Sequence, residues 1–201
     1  MTRRKAAAQS GSPGLLERLS PQEAVEVLNQ LLEKHPELCP EAEQFAISYV
    51  SSTSVEDVAQ DVEDRVLRID LEALNGRAGK HSWGYVEPGD AAVELLEESL
   101  EDLTDDMKRK AELGLVAAAQ AICLGIVQGL YGMRKTNSDG ALGWAPEFPA
   151  EHADYVVGEY ICACSRAVRK EARKSLAAAL PECAPEWAEG LERAADQAVR
   201  K

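Results

Sequence analysis

Five carboxylates recur at helical spacing between Glu94 and Asp105, and five cysteines and three histidines are scattered along the chain. These are the groups able to do chemistry, and their spacing limits what they do. A metal site needs ligands that converge, as in H-E-x-x-H, an E-x-x-H helical pair or paired C-x-x-C motifs. His35, His81 and His152 stand in none of these patterns. Cys162-Ala163-Cys164 on a helix points its thiols in separate directions and has no second pair. Glu94, Glu97, Glu98, Glu101 and Asp105 make an acidic stripe: either a solvated helix face or an adventitious site for a divalent cation. Gly76-x-x-Gly79 and Gly125-x-x-x-Gly129 lack the preceding strand and the Lys-Ser/Thr of a phosphate cradle. No G-x-S-x-G nucleophile elbow occurs. No catalytic, cofactor-binding or metal-binding residue is therefore assigned, and no cofactor is expected. A Cys–His pair assembled in space stays open, because such partners need not be neighbours in sequence.

Two loops and one charge pattern supply candidates for recognition instead. Trp83-Gly84-Tyr85 and Gly143-Trp144-Ala145-Pro146 bracket the central helices, so both are expected at the same end of the core. Trp83, Tyr85, Glu87, Asp90, Trp144 and Glu147 either anchor a partner or ligand there, or plug the core and fix the helix ends. Arg166, Arg169, Lys170, Arg173 and Lys174 form a basic stripe in an acidic protein. Opposite stripes are able to pair across a self-association interface or steer a partner protein; the plainer alternative is two solvated faces.

The elements that must position these residues are helical. Residues 1–14 read as a flexible basic tail, and residues 15–201 as a single helical domain. Ser20-Pro21-Gln22-Glu23 is a capping box with proline at the first helical position, starting a helix that ends at Pro36 and buries Val25, Leu28, Leu31 and Leu32. A second helix follows Pro40 and buries Phe45, Ala46, Tyr49 and Val50. Ser54 caps a third, with Val55, Val58, Ala59, Val62, Val66 and Ile69 inward. Asn75-Gly76 and Gly79 break the pattern and open a loop to Gly89. Asp90 is expected to cap the next helix, whose buried side is Val93, Leu96, Leu100 and Leu103.

The uncharged stretch Leu113–Met133 is the expected centre, reached either through a turn near Thr104 or by one continuous helix. It is apolar on nearly all sides, so other helices or lipid must surround it. Its length suffices for a bilayer. Gln120, Gln128 and the unpartnered stripes of the neighbouring helices favour a protein core, with Gly114, Ala118, Ala121, Gly125 and Gly129 as contact points for crossing helices. After a turn at Asn137-Ser138-Asp139-Gly140, one helix is expected from about Glu151 to Leu180, stopped by Pro181. Val156, Val157, Tyr160, Ile161, Cys164 and Val168 face inward on it. A final helix carries Trp187, Leu191, Ala195 and Val199. No convincing alternating strand is found.

His35-Pro36-Glu37-Leu38 followed by Pro40-Glu41-Ala42-Glu43 resembles the helix junctions of bacterial helical-repeat proteins. Arg77-Ala78-Gly79 through Gly84-Tyr85-Val86-Glu87-Pro88 resembles uncharacterised all-helical bacterial proteins. The resemblance covers most of residues 20 to 160, implies a helical fold and implies no activity.

Composition sets the remaining bounds. The chain has 201 residues, 5% aromatics, 28% charged residues and a formal net charge of -13. That is the profile of a helix-rich, water-compatible domain, and its charge repels nucleic acid. No apolar run follows Arg3-Arg4-Lys5, so no signal peptide is read, and an odd, irregular cysteine set suits reduced thiols in the cytoplasm. The expected fold is all-α: about seven helices in an irregular bundle or stacked helix-pair array around a central apolar helix. The expected function is protein–protein interaction or scaffolding, with a homodimer as one form. An enzyme or small-ligand binder with a pocket near the Gly-Trp loops is the first alternative. A membrane-associated protein using residues 113–133 is the second.

Overall fold

The computed structural model describes residues 14–82, 84–136 and 140–200. The all-α class holds, with 78% of the chain helical. Among the described residues the elements run α1 (Pro21–Lys34), α2 (Cys39–Val50), α3 (Val55–Leu67), α4 (Leu71–Arg77), β1 (Gly79–His81), β2 (Gly84–Val86), α5 (Pro88–Glu112), α6 (Val116–Met133), α7 (Ala141–Trp144), α8 (Phe148–Ala163), α9 (Arg169–Cys183) and α10 (Ala188–Val199). Ten α-helices replace the expected seven because α4 and α7 are additional and the helix expected over 151–180 is two. The basic tail expected over 1–14 lies, but for Gly14, outside the described residues, as do Trp83 and the turn residues Asn137, Ser138 and Asp139. The chain forms two compact units, one ending at Ser48 and one beginning at Tyr49.

In the first unit, α1 starts as its residues dictate. The Glu23 backbone N–H donates to Ser20 Oγ at 3.3 Å, and the Glu23 carboxylate accepts from the Ser20 backbone N–H at 2.8 Å. This reciprocal capping box satisfies two donors that a helix start otherwise leaves open. The packing differs from expectation. No residue of α1 or α2 is buried. Val25, Leu28 and Leu31 are about half exposed, Phe45 is 68% exposed and Tyr49 is 84% exposed.

In the second unit α6 is the centre. It packs against α3, α5, α8 and α9, and Ile122, Cys123, Ile126, Val127 and Leu130 are fully enclosed. It is long and apolar enough to cross a membrane, with mean hydropathy 1.5, yet 61% of it is buried among its own neighbours. Gln120 within it accepts from the buried Tyr160 hydroxyl at 3.5 Å, which gives a polar group in an apolar helix a protein partner. Small residues bring α3 close, as expected for Gly125 and Gly129. A Cβ added at Gly125 would sit 2.5 Å from Val58 Cβ, and one at Gly129 would sit 2.7 Å from the Ala59 carbonyl oxygen.

Gly114 has a different role from the one expected. With φ +80° it ends α5 rather than contacting a crossing helix. The Gly114 N–H donates to the Ala111 carbonyl and the Leu115 N–H to the Lys110 carbonyl, closing α5 in a Schellman motif. The central helix therefore begins at Val116, and α5 runs unbroken through Thr104.

Several boundaries move for local reasons. Asp70 accepts from the Ala73 N–H at 2.9 Å and starts α4, so Asn75-Gly76 lie inside a helix. Gly79–His81 and Gly84–Val86 pair antiparallel; three-residue strands are too short to show alternation. Glu87 occupies the cap position of α5, with Pro88 first in the helix, and Asp90 sits in the first turn without capping. The chain extends at Cys164, separating α8 from α9, and Val168 is exposed rather than inward. Pro181 lies within the last turn of α9 instead of stopping it. Having no N–H, it leaves the Ala177 carbonyl without its i→i+4 donor, so one rung of that turn is missing.

Candidate functional site

The acidic stripe becomes one wall of a groove. Glu94, Glu97, Glu98, Glu101 and Asp105 of α5 line a concavity of about 450 Å³ whose other wall is His152 and Tyr155 of α8, with Thr104 and Lys108 completing it. Residues three and four apart share a helix face, which is why α5 presents its carboxylates together. Leu96, Leu100 and Met107 on the opposite face are fully buried and hold that orientation.

Each end of the groove carries one cation. Arg77 of α4 donates to both carboxylate oxygens of Glu98, at 2.7 and 3.0 Å, and reaches Glu94 at 3.4 Å. That pairing holds the Glu98 carboxyl below its ordinary range. Lys108 lies 2.7 Å from Asp105, and the hydrogen bond holds its ammonium above the usual value. Between these ends Glu97 and Glu101 have no ion pair among the described residues. Five carboxylates thus share the lining with a single ammonium.

The floor is aromatic and short of hydrogen bonds. His152 is 7% exposed and stacks on Phe148, with ring centroids 4.8 Å apart. The Tyr155 ring is tilted against it, with centroids 5.6 Å apart. Burial pushes its pKa down to about 4, so the imidazole is neutral at physiological pH. His152 Nε2 and Thr104 Oγ1 are buried without a hydrogen-bond partner. Native proteins rarely leave such atoms unsatisfied, since each costs about 1–3 kcal/mol. Burial, then the neighbouring Glu159 carboxylate, pushes the Tyr155 phenol up.

Tyr85, Glu87, Asp90, Trp144 and Glu147 are not part of the lining of this groove. Tyr85 is 64% exposed on β2, and Trp144 is 53% exposed at the end of α7. α7 packs on α5, and the Trp144 carbonyl would lie 3.5 Å from a Cβ added at Gly89. The second loop therefore adjoins the first turn of α5. Glu87 and Glu147 are exposed residues preceding α5 and α8, and neither side chain caps its helix.

The basic stripe divides. Arg169 donates to the carbonyl oxygens of Cys162 at 2.8 Å and Cys164 at 3.2 Å, closing the C-terminal end of α8. Arg173 lies 2.7 Å from Asp196 of α10. Arg166 is in the turn between α8 and α9 rather than on one helix with the others. Lys170, Arg173 and Lys174 border a shallow concavity of about 460 Å³ together with Arg200, a residue the stripe did not include.

Among the described residues no three His, Cys, Asp or Glu side chains converge as metal ligands. Cys123 and Cys164 are buried thiols that burial pushes up, away from the reactive thiolate. No protein-family model, characterised protein or solved structure matches the chain. The likeness to bacterial helical proteins drawn from residues 35–43 and 77–88 gains no support from these comparisons.

Proposed function

We infer that this chain is a cytoplasmic protein-interaction module that engages a partner protein through α1 and α2. The observation that carries the reading is an apolar surface left uncovered on well-formed helices. Leu15, Leu16, Val25, Leu28, Leu31 and Phe45 are all exposed. Large apolar residues left exposed on an amphipathic helix suit docking against another apolar surface. The rim is acidic: Glu23, Glu26, Glu33, Glu37, Glu41 and Glu43 outnumber Arg18 and Lys34. A partner with a basic rim suits it better than a like-charged second copy placed face to face. Free cysteines suit a reducing compartment.

The test is recovery of partners from source cells by the wild-type chain and by Leu28→Glu/Phe45→Glu. A specific partner, reconstituted from pure components, binds the wild type and loses at least tenfold in affinity with the double variant, while the melting temperature stays the same. Equal binding by both proteins removes α1 and α2 from the interaction.

A further inference from the structure

We propose that the face where the start of α9 meets the end of α10 is a binding site for the diphosphate group of a small molecule. The site belongs to the second unit and draws on no residue of α1 or α2. Two adjoining concavities make it, of about 460 and about 320 Å³. The first is lined by Lys170, Arg173, Lys174 and Arg200, the second by Arg166, Arg169, Lys170 and Arg200. Among the described residues, Asp196 is the one carboxylate in either lining and Val199 the one apolar side chain. Charge therefore selects the ligand, and it selects an anion.

The composition does not force these cations to stand bare. The chain has 35 carboxylates for 22 lysines and arginines, and Arg65, Arg77, Lys108 and Arg134 each lie beside one. Arg166, Lys170, Lys174 and Arg200 are exposed and have no ion pair among the described residues. Like charges gathered without a counterion repel one another, and an anion bound among them relieves that repulsion. Positions three and four apart put Lys170, Arg173 and Lys174 on one face of α9. Arg173 is tied to Asp196, and Arg169 to the Cys162 and Cys164 carbonyls, so part of the lining is fixed before a ligand arrives.

Charge and shape then select the class. A phosphate group carries about -1.5 to -2 charges at neutral pH, so two of them approach the charge of the four unpaired cations. The concavities share Lys170 and Arg200, which suits two linked anions, one in each, with the shared pair between them. Guanidinium groups meet phosphate oxygens through paired N–H donors. Outside this face the chain is strongly acidic, with a formal net charge of -13, which works against a long polyanion such as nucleic acid. For a small ligand, screening over about 8 Å leaves the decision to the local cations.

Calorimetric titration of the full chain with inorganic pyrophosphate tests the proposal, with orthophosphate and sulfate as controls. Saturable one-to-one binding is expected, at least tenfold tighter than for either control. Lys170→Gln/Arg200→Gln lowers affinity at least tenfold without changing the melting temperature, because both side chains are exposed. Lys34→Gln/Lys80→Gln removes the same charge from exposed positions elsewhere and leaves affinity unchanged. Should the first variant melt lower, backbone amide shifts of the wild-type chain report the same contact, moving at Lys170 and Arg200 on pyrophosphate addition. The proposal falls if binding does not saturate, if either control binds as tightly, or if Lys170→Gln/Arg200→Gln binds as the wild type does. It falls equally if Lys34→Gln/Lys80→Gln weakens binding as much, since net charge alone then decides. Tighter binding of polyglutamate, single-stranded DNA or phosphatidylserine vesicles to the same residues also overturns it, since the occupant is then a macromolecule or a membrane.

Discussion

Helices α1 and α6 both draw on leucine and valine, but they meet opposite fates. α6 has glycines where α3 crosses it, and its Ile122, Ile126 and Leu130 are fully enclosed. α1 has a complete capping box and a clean apolar stripe, and buries nothing. Capping and periodicity decide that a helix forms and which side is apolar. They do not decide what covers that side. The contrast places fold stability in one region and an unsatisfied surface in the other.

The largest test of this contrast is Gly125→Leu. The side chain has no room against Val58, so unfolding free energy falls by about 3 kcal/mol or more in urea titration. A small loss would mean that α3 is not held against α6 as described.

Acid gives the next largest effect. Burial lowers the folded-state pKa of His152 from 6.5 to about 4, so the unfolded chain binds the extra proton between those values. Its contribution is complete above pH 6.5 and is lost as pH falls toward 4, amounting to about 3 kcal/mol. His152→Phe flattens that part of the pH–stability curve. Unchanged acid sensitivity would place the imidazole in water.

Arg169→Met removes donors to the Cys162 and Cys164 carbonyls and costs about 1–2 kcal/mol. Lys170→Met, next to it and exposed, stays within about 0.5 kcal/mol. Equal losses would return Arg169 to a solvated stripe. Leu28→Ala on α1 is the smallest expected effect, within about 0.5 kcal/mol by thermal melting. A loss of several kcal/mol there would show α1 to be core after all.

The candidate site was half legible. The acidic stripe from Glu94 to Asp105 shows at once from its helical spacing. His152 and Tyr155 did not stand out, because they come from a helix about fifty residues away and look like ordinary members of an apolar pattern. The basic stripe misled in the other direction. Its members share a spacing, but Arg169 binds carbonyls of its own chain and Arg173 pairs with Asp196. Charge reversal at those positions would therefore disturb the fold as well as the surface.

Residue order alone determined the helical class, the caps at Ser20 and Ser54, the buried side of α3 and the small-residue crossing on α6. These rest on contacts between residues a few positions apart, or on a helix too apolar to remain bare. Only the tertiary structure decided that α1 and α2 bury no residue against each other, that Gly114 turns the chain, and that a buried imidazole closes an acidic groove. Those outcomes depend on which distant surfaces meet, and local periodicity does not encode that.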